Sequence, residues 1–477
     1  EQEGVAPQVI VDRYHTINAQ ALIDLGCSWG DNVDSRGIEF GGALYNRTTD
    51  PRHKELVQEN FSELFEAGFL EKQTMQQYCS INSDGITRFL PDRYVEGKCP
   101  TCGAEEARGD QCDDCGGTYE SSELINPRSK MDPESKIEIR DTEHLFYRLD
   151  LFQEELEKFA SQNQNIWKPN VRAMTKNWLN MGLRPRAVTR DMEWGIELPL
   201  DDPDWDSKRI YVWFEAVQGY YTCARIWSEK FASNNGGDQH SWKKWWEVDS
   251  DGIRPKHIYF MGKDNIPFHT VIWPAIIMGM NSVKSGLPPS SIPESGEYAL
   301  AYNVPSMEFL MLQGGQFSKS REHGVWLPSF LESHTADSLR YFLSINMPEG
   351  HDTDFRWEEF VDRVNNELIG TYGNYVHRIM TLTHRLPSDG TNPLLEFDKP
   401  DLHKDILDEI EGKLQSAINS LESQRFKEAL RSIMNIAQIG NGLIQNAEPW
   451  RYLKAPPSLE RNDSLSKLAL GWRICKG

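Results

Sequence analysis

The sequence predicts an α/β protein that carries a cysteine-rich insertion and ends in a helical region, and three observations support this reading. Between residues 187 and 305, strand-like runs alternate with helical ones: "RIYVWFEAV" (209–217) reads as a strand, and "HIYFMG" (257–262) is followed by a polar turn and an apolar helix. Strand, turn and helix in that order belong to a parallel sheet. Four of the eight cysteines fall within "CPTCGAEEARGDQCDDC" in a turn-rich stretch (79–186). From 361 onward the apolar spacing is helical, interrupted at "LPSDGTNP" and "KAPPS".

A chain of 477 residues exceeds one hydrophobic core and implies about two to four domains. Residues 1–78 read as α/β, with apolar positions recurring at three and four in "HKELVQENFSELFEAGFLE" (53–71). Residues 79–186 read as an insertion that ends in two amphipathic helices, "LFQEELEKFASQ" (151–162) and one near "VRAMTKNWLNMG". The longest uncharged apolar run, Val271–Met280, stops far short of the roughly 20 residues that cross a bilayer, so no membrane span is expected. The net charge of −21 lies wholly in residues 1–360, because 361–477 hold 15 Lys plus Arg against 15 Asp plus Glu. The C-terminal part therefore presents no acidic barrier to an RNA.

The cysteines Cys99, Cys102, Cys112 and Cys115 form two CxxC pairs, and each pair places two thiolates on one tight turn. Four sulfurs close a tetrahedron and leave no open position, which suits a structural zinc ion; two disulfides or an iron–sulfur cluster are the alternatives. With no secretory pattern at the start, the cluster points to a reducing compartment, the cytoplasm. Farther along, Asp264 stands at the C-terminal end of the strand-like "HIYFMG", where open α/β sheets bind ligands. His269 and Trp273, four apart, share a helix face. They wall an apolar pocket or belong to the core, and spacing alone leaves both readings open.

The segments "RFLPDRYVEGKCPTCG", "AVTRDMEWGIELP", "YVWFEAVQGYY", "GKDNIPFHTVIWPA" and "QFSKS", in this order over almost the whole chain, resemble methionyl-tRNA synthetase of the archaeal and eukaryotic type. The resemblance implies a Rossmann-type class I synthetase catalytic domain in 1–78 and 187–305, split by a zinc-binding connective insertion in 79–186. A contact fold (306–360) and an α-helical anticodon-binding bundle (361–477) then follow. It implies a ligase that activates L-methionine with ATP, accompanied by Mg2+, and transfers it to tRNA(Met). The methionine side chain is expected against Trp213, Ala216, Tyr220, His269 and Trp273, since an uncharged thioether needs polarizable walls. Asp264 is expected on the ATP ribose, with Arg190 and Glu197 positioning the nucleotide and the amino group; a surface ion pair is the plainer reading of the last two. Val217 replaces a frequent proline of the family, and Asn265 an aliphatic residue of some relatives.

"QFSKS" occupies the place of the class I signature KMSKS, with Gln316 for its first lysine and Phe317 for its methionine. Ser318, Lys319 and Ser320 are thereby the expected catalytic set, Lys319 meeting the charge that builds on the leaving phosphates. The second signature, HIGH, is absent from this sequence, which lacks an initiator methionine and resembles the family from just downstream of the first βα unit. The chain is therefore expected to be a fragment, cut at both ends and inactive by itself. By the same resemblance Asn374 and Arg378, four apart in "NYVHR", and Trp450 of "NAEPW" meet the anticodon, as single-stranded bases are read by stacking and by Asn and Arg; core packing is the alternative for Trp450. A non-catalytic tRNA-binding or assembly protein on a synthetase fold is the alternative function.

Overall fold

The computed structural model describes residues 4–27, 44–81, 87–90, 94–109, 112, 119, 121–130, 132, 134–231, 236–318, 322–386 and 392–476. They divide into two compact units, residues 1–20 with 28–306, and residues 21–27 with 307–477.

The first unit is built around the helix Pro51–Glu66. Asp50 caps it by accepting from the Arg52 amide, and Pro51 occupies its first turn. Its buried face, His53, Leu56, Val57, Asn60, Phe61 and Leu64, repeats at three and four. The helix stops at Glu66 rather than running to residue 71, because Gly68, at φ 82°, turns the chain into the strand Leu70–Ile81. That strand runs unbroken through residue 79 and pairs antiparallel with Lys136–Tyr147 over twelve residues, Leu70 facing Tyr147. Thr87–Phe89 and Arg186–Ala187 complete a four-stranded sheet. The helices Gln153–Gln162 and Pro169–Asn180 follow, where the sequence predicts them.

The strand expected over 209–217 is not formed. Only Lys208–Ile210 is extended, as the centre of a three-stranded antiparallel sheet between Thr189–Asp191 and Ile196–Glu197. After the Tyr211 amide bonds the Val188 carbonyl, the amides of Phe214 and Glu215 return to the Tyr211 carbonyl and start a helical turn. "YVWF" is β-prone by composition, but burial of Phe214 and Glu215 on a helical turn overrides that preference. Parallel pairing occurs between His257–Ile258 and Ala301–Asn303, whereas the long pairings of this unit are antiparallel.

The helical stretch Lys263–Ser285 is long and apolar enough to cross a membrane by length and composition, but most of it is buried inside the protein. It is the core helix. Trp273, Val271, Ala275, Ile276 and Met278 pack in one cluster with Phe61, Leu64, Tyr147, Phe152 and Phe214. The cysteine-bearing module has its own small core of Tyr78, Leu90, Val95, Ala107 and Leu124 beside Cys99 and Cys112. It rests on a three-stranded sheet centred on Val95–Lys98.

In the second unit, Leu310–Leu312 pairs antiparallel with Gly315–Gln316 and parallel with Thr353–Phe355. Leu312, Phe330, Leu339, Phe342, Phe355 and Phe360 form the core there, with Leu25 against it. Trp357–Arg363 continues through a π-helical stretch, Val364–Gly373, into the helix Asn374–His384. The helices Lys404–Glu422, Phe426–Ala447 and Leu459–Lys476 complete this unit.

Candidate functional site

Trp213, Ala216 and Tyr220 sit on a segment that changes form twice, from the helical turn Val212–Glu215 through the 3-10 turn Ala216–Gln218 to the helix Gly219–Lys230. Opposite them, the core helix opens with a π-helical turn, Phe268–Ile272, a feature that often marks functional positions. His269 projects from this turn to Tyr220. Its Nδ1 lies 2.9 Å from the Asn265 carbonyl, and its Nε2 lies 2.9 Å from the Tyr220 hydroxyl. A carbonyl only accepts, so Nδ1 carries the proton and Nε2 accepts from Tyr220. Burial pushes the His269 pKa down, against the Asn265 bond that raises it. Burial also pushes the Tyr220 phenol up. The pair is thus held uncharged.

Tyr259 joins Tyr220 and His269 at ring separations of 4.7 and 5.6 Å, and accepts a bond of 3.1 Å from Trp273 Nε1. Trp273 has no exposed surface, so it backs this wall from the core. Phe268 stacks on Trp213 at 4.3 Å. Sequence reasoning missed Tyr259 and Phe268, although both lie within or beside quoted motifs. The arrangement is aromatic, uncharged and poor in free hydrogen-bonding groups, which suits an apolar, polarizable side chain.

Asp264 is exposed on the short turn Lys263–Asn265, and its carboxylate folds over Gly262, where a Cβ would come within 2.8 Å of Oδ1. Gly262 lies at φ −78°, so alanine is tolerated by the backbone and the carboxylate must move. Gly262→Ala is expected to displace the Asp264 carboxylate and leave the melting temperature unchanged, which a melting curve checks.

Arg190 and Glu197 come from the outer strands of the three-stranded sheet and face Arg209 of its central strand in register. The Arg190 guanidinium stacks over Tyr211 at 4.2 Å and donates to the Thr189 carbonyl at 3.0 Å. The Glu197 side chain is 76% exposed and stands 3.9 Å from Arg209. The structure therefore brings these two onto one sheet and ties Arg190 to the strand that precedes the Trp213 turn.

Of the signature loop, Ser318 is described, and Lys319 and Ser320 lie outside the described residues. The stem is closed by two backbone bonds between Ser318 and His323, at 2.8 and 3.0 Å. Gly314, at φ 81°, and Gln313, at φ 50°, make the preceding turn. His323 Nε2 donates to the Leu312 carbonyl at 2.9 Å and latches the returning chain to the strand Leu310–Leu312.

Among the helices, Asn374, Arg378 and Trp450 come together. Asn374 Nδ2 and Arg378 Nη1 both approach Asn441 Oδ1, at 3.3 and 3.5 Å, and Arg378 Nη2 donates to Gln445 Oε1 at 3.0 Å. The Arg378 guanidinium lies 5.7 Å from the Trp450 ring. Trp450 follows Glu448, whose left-handed backbone at φ 42° ends the helix Phe426–Ala447. Asn374, Arg378, Asn441 and Gln445 border an open groove of ≈ 400 Å³ lined also by Thr371, Gln438 and Gly442. Gln438, Asn441 and Gln445 were missed, although amides three and four apart on one amphipathic helix are a legible signal.

The sulfurs of Cys99, Cys102 and Cys112 lie within 4.8 Å of one another and can hold a metal ion; Cys115 lies outside the described residues. Burial acts to raise the Cys99 thiol, but the Cys102 and Thr101 amides, 3.4 and 3.3 Å from its sulfur, outweigh it and bring the pKa down to about 6. Thiolates gathered in this way fit a divalent cation of zinc type.

Residues 1–380 match the family described as tRNA synthetases class I (M). Methionine--tRNA ligase of Roseiflexus sp. (strain RS-1) is 38% identical over 95% of this chain and 70% of its own length. The Chloroflexus aurantiacus enzyme of the same name is 40% identical over 95% of this chain and 71% of its own length. These relatives are bacterial, which widens the archaeal and eukaryotic type that the motifs suggest. The fold is shared with Mycobacterium tuberculosis methionyl-tRNA synthetase in complex with methionyl-adenylate, at TM-score 0.71 and 20% identity, over 100% of this chain and 78% of that one. The chain therefore belongs to the class I methionyl-tRNA synthetase family.

Proposed function

We propose that this protein is a methionine–tRNA ligase that works in the cytoplasm. A methionine carboxylate oxygen attacks the α-phosphorus of ATP, supplied with Mg2+; the bond to the bridging oxygen breaks, and pyrophosphate leaves. A hydroxyl of the tRNA(Met) 3′ end then attacks the carbonyl of the adenylate and releases AMP. The observation that carries this reading is the uncharged aromatic wall of Trp213, Tyr220, Tyr259 and His269, in which the Tyr220–His269 bond is satisfied internally at 2.9 Å. Such a wall offers a thioether polarizable contact and offers a charged side chain no counter-charge.

In this reading Trp213, Ala216, Tyr220 and His269 hold the side chain, with Trp273 behind them, and Glu197 takes the amino group. Asp264 binds the ribose and Arg190 the nucleotide. Lys319, flanked by Ser318 and Ser320, stabilises the charge that develops on the departing phosphates. Asn374, Arg378 and Trp450 read the anticodon, with the groove beside Asn441 and Gln445 as the receiving surface. Charging of tRNA tests this directly: methionylation of a CAU transcript is expected, with severe loss when any anticodon base is changed. Equal charging of unrelated anticodons would sink the assignment of the groove.

The zinc ion is assigned to Cys99, Cys102, Cys112 and Cys115, where it holds the knuckle together and does no chemistry. One zinc per chain is the expected elemental content. Cys115→Ser is expected to lose it and to melt the knuckle, leaving the rest of the first unit folded; zinc retained at full occupancy would exclude Cys115 as a ligand.

A further inference from the structure

The wall segment has a second face. Trp213, Ala216 and Tyr220 are spaced three and four apart, and so are Glu215, Gln218 and Thr222, which point the other way and are buried, Gln218 and Thr222 completely. All three are held by one helix. His53 Nε2 lies 2.9 Å from Glu215 Oε2, and its Nδ1 lies 2.7 Å from Thr222 Oγ1. Seven residues on, Asn60 Nδ2 donates to Gln218 Oε1 at 2.8 Å. Arg52 of the same helix makes two bonds, 3.0 and 2.9 Å, to Glu229 at the far end of the helix Gly219–Lys230. Phe61, next to Asn60, meets Phe214, next to Glu215, edge-on.

Apolar residues of the same volume would hold this interface at least as well. Burying a carboxylate, an imidazole and two amides costs several kcal/mol of desolvation, and the pairs do little more than offset it. What directional bonds add is register: each fixes one residue of the wall in distance and angle. The wall needs this because its backbone passes from helical turn to 3-10 turn to helix within nine residues, and such a break has no uniform ladder to set its geometry.

We propose that His53 and Asn60 are positioning residues for the amino-acid pocket, clamping Glu215, Thr222 and Gln218 so that Trp213, Ala216 and Tyr220 stand at the spacing that selects the substrate side chain. The inference rests on the methionine reading of that pocket. It makes side-chain selectivity depend on residues buried behind the pocket wall.

The test compares His53→Gln and Glu215→Gln, close in size and polarity to the originals, in the full-length gene product, by pyrophosphate exchange with methionine and with leucine. Ser228→Ala serves as a control: Ser228 is fully buried at the far end of the same helix and donates to the Gln239 carbonyl. Both clamp variants are expected to raise KM for methionine about tenfold and to lose about as much discrimination against leucine. Their kcat at saturating methionine should stay within about threefold, with KM for ATP unmoved. The control should lower melting temperature without moving KM for methionine. A KM for methionine unchanged in both folded clamp variants, or shifted equally by Ser228→Ala, would overturn the inference and leave the site reading standing. Absence of methionine-dependent exchange in the wild-type protein would overturn the site reading itself.

Discussion

Gly440→Ala is expected to destabilise the helical region of the second unit by about 2 kcal/mol, although alanine is the better helix former. Gly440 lies inside the helix Phe426–Ala447, and a Cβ there would fall within the ring of Tyr375, with the phenol oxygen 2.8 Å away. Tyr375 cannot withdraw freely. It is buried, and its hydroxyl donates to the Gly471 carbonyl at 2.6 Å on the helix Leu459–Lys476. At Gly471 a Cβ would in turn meet Ile379 at 2.8 Å. Overpacking costs about 1–3 kcal/mol, and a buried phenol that loses its acceptor about 1–3 more. The propensity gain of about 1 kcal/mol offsets only part of this. Melting temperature should fall by roughly 4–8 °C. The same exchange at Gly412, where a Cβ meets nothing within 4 Å, should stabilise. Thermal unfolding of the two variants side by side decides whether the Tyr375 wedge or helix propensity dominates.

The second large effect is kinetic. Lys319→Ala is expected to lower kcat of methionine activation by about 10²–10³-fold, some 3–4 kcal/mol, with KM for methionine nearly unchanged. Gln316 already stands where the class signature has its first lysine, so Lys319 is the remaining cation of that motif. The stem that presents it is well tied, by the Ser318–His323 backbone pair and the His323 latch to Leu312. Its charge meets charge that develops only in the transition state, which is why ground-state methionine binding should be spared. A loss that falls mainly on KM would instead place Lys319 in substrate binding, with no special role at the transition state.

Most helices were legible in the sequence because their apolar spacing is local: 151–162 and the helix near 171–182 follow it closely. The two CxxC pairs were legible for the same reason. The strand read at 209–217 was not, because β-branched and aromatic residues fill buried helical turns as readily as strands. Single residues of the site came from motif likeness, and the structure brings several of them together, Tyr220 with His269 and Arg378 with Asn374 and Trp450. What stayed hidden is long-range. Nothing local joins His53 to Glu215 across 162 positions or Asn441 to Asn374 across 67, because such polar pairs leave no period. Lys319, Ser320 and Cys115 fall outside the described residues, so their assignment rests on the motif.

In the proposed function an uncharged aromatic pocket selects methionine for activation by ATP. Amino-acid-dependent ATP–pyrophosphate exchange tests it most directly, with methionine set against leucine, isoleucine, valine and cysteine on the full-length, zinc-loaded protein. Exchange that requires methionine, with the four others at least about 10²-fold weaker, is the predicted result. Folded protein that exchanges with none of the five, or with leucine as readily as with methionine, would contradict it.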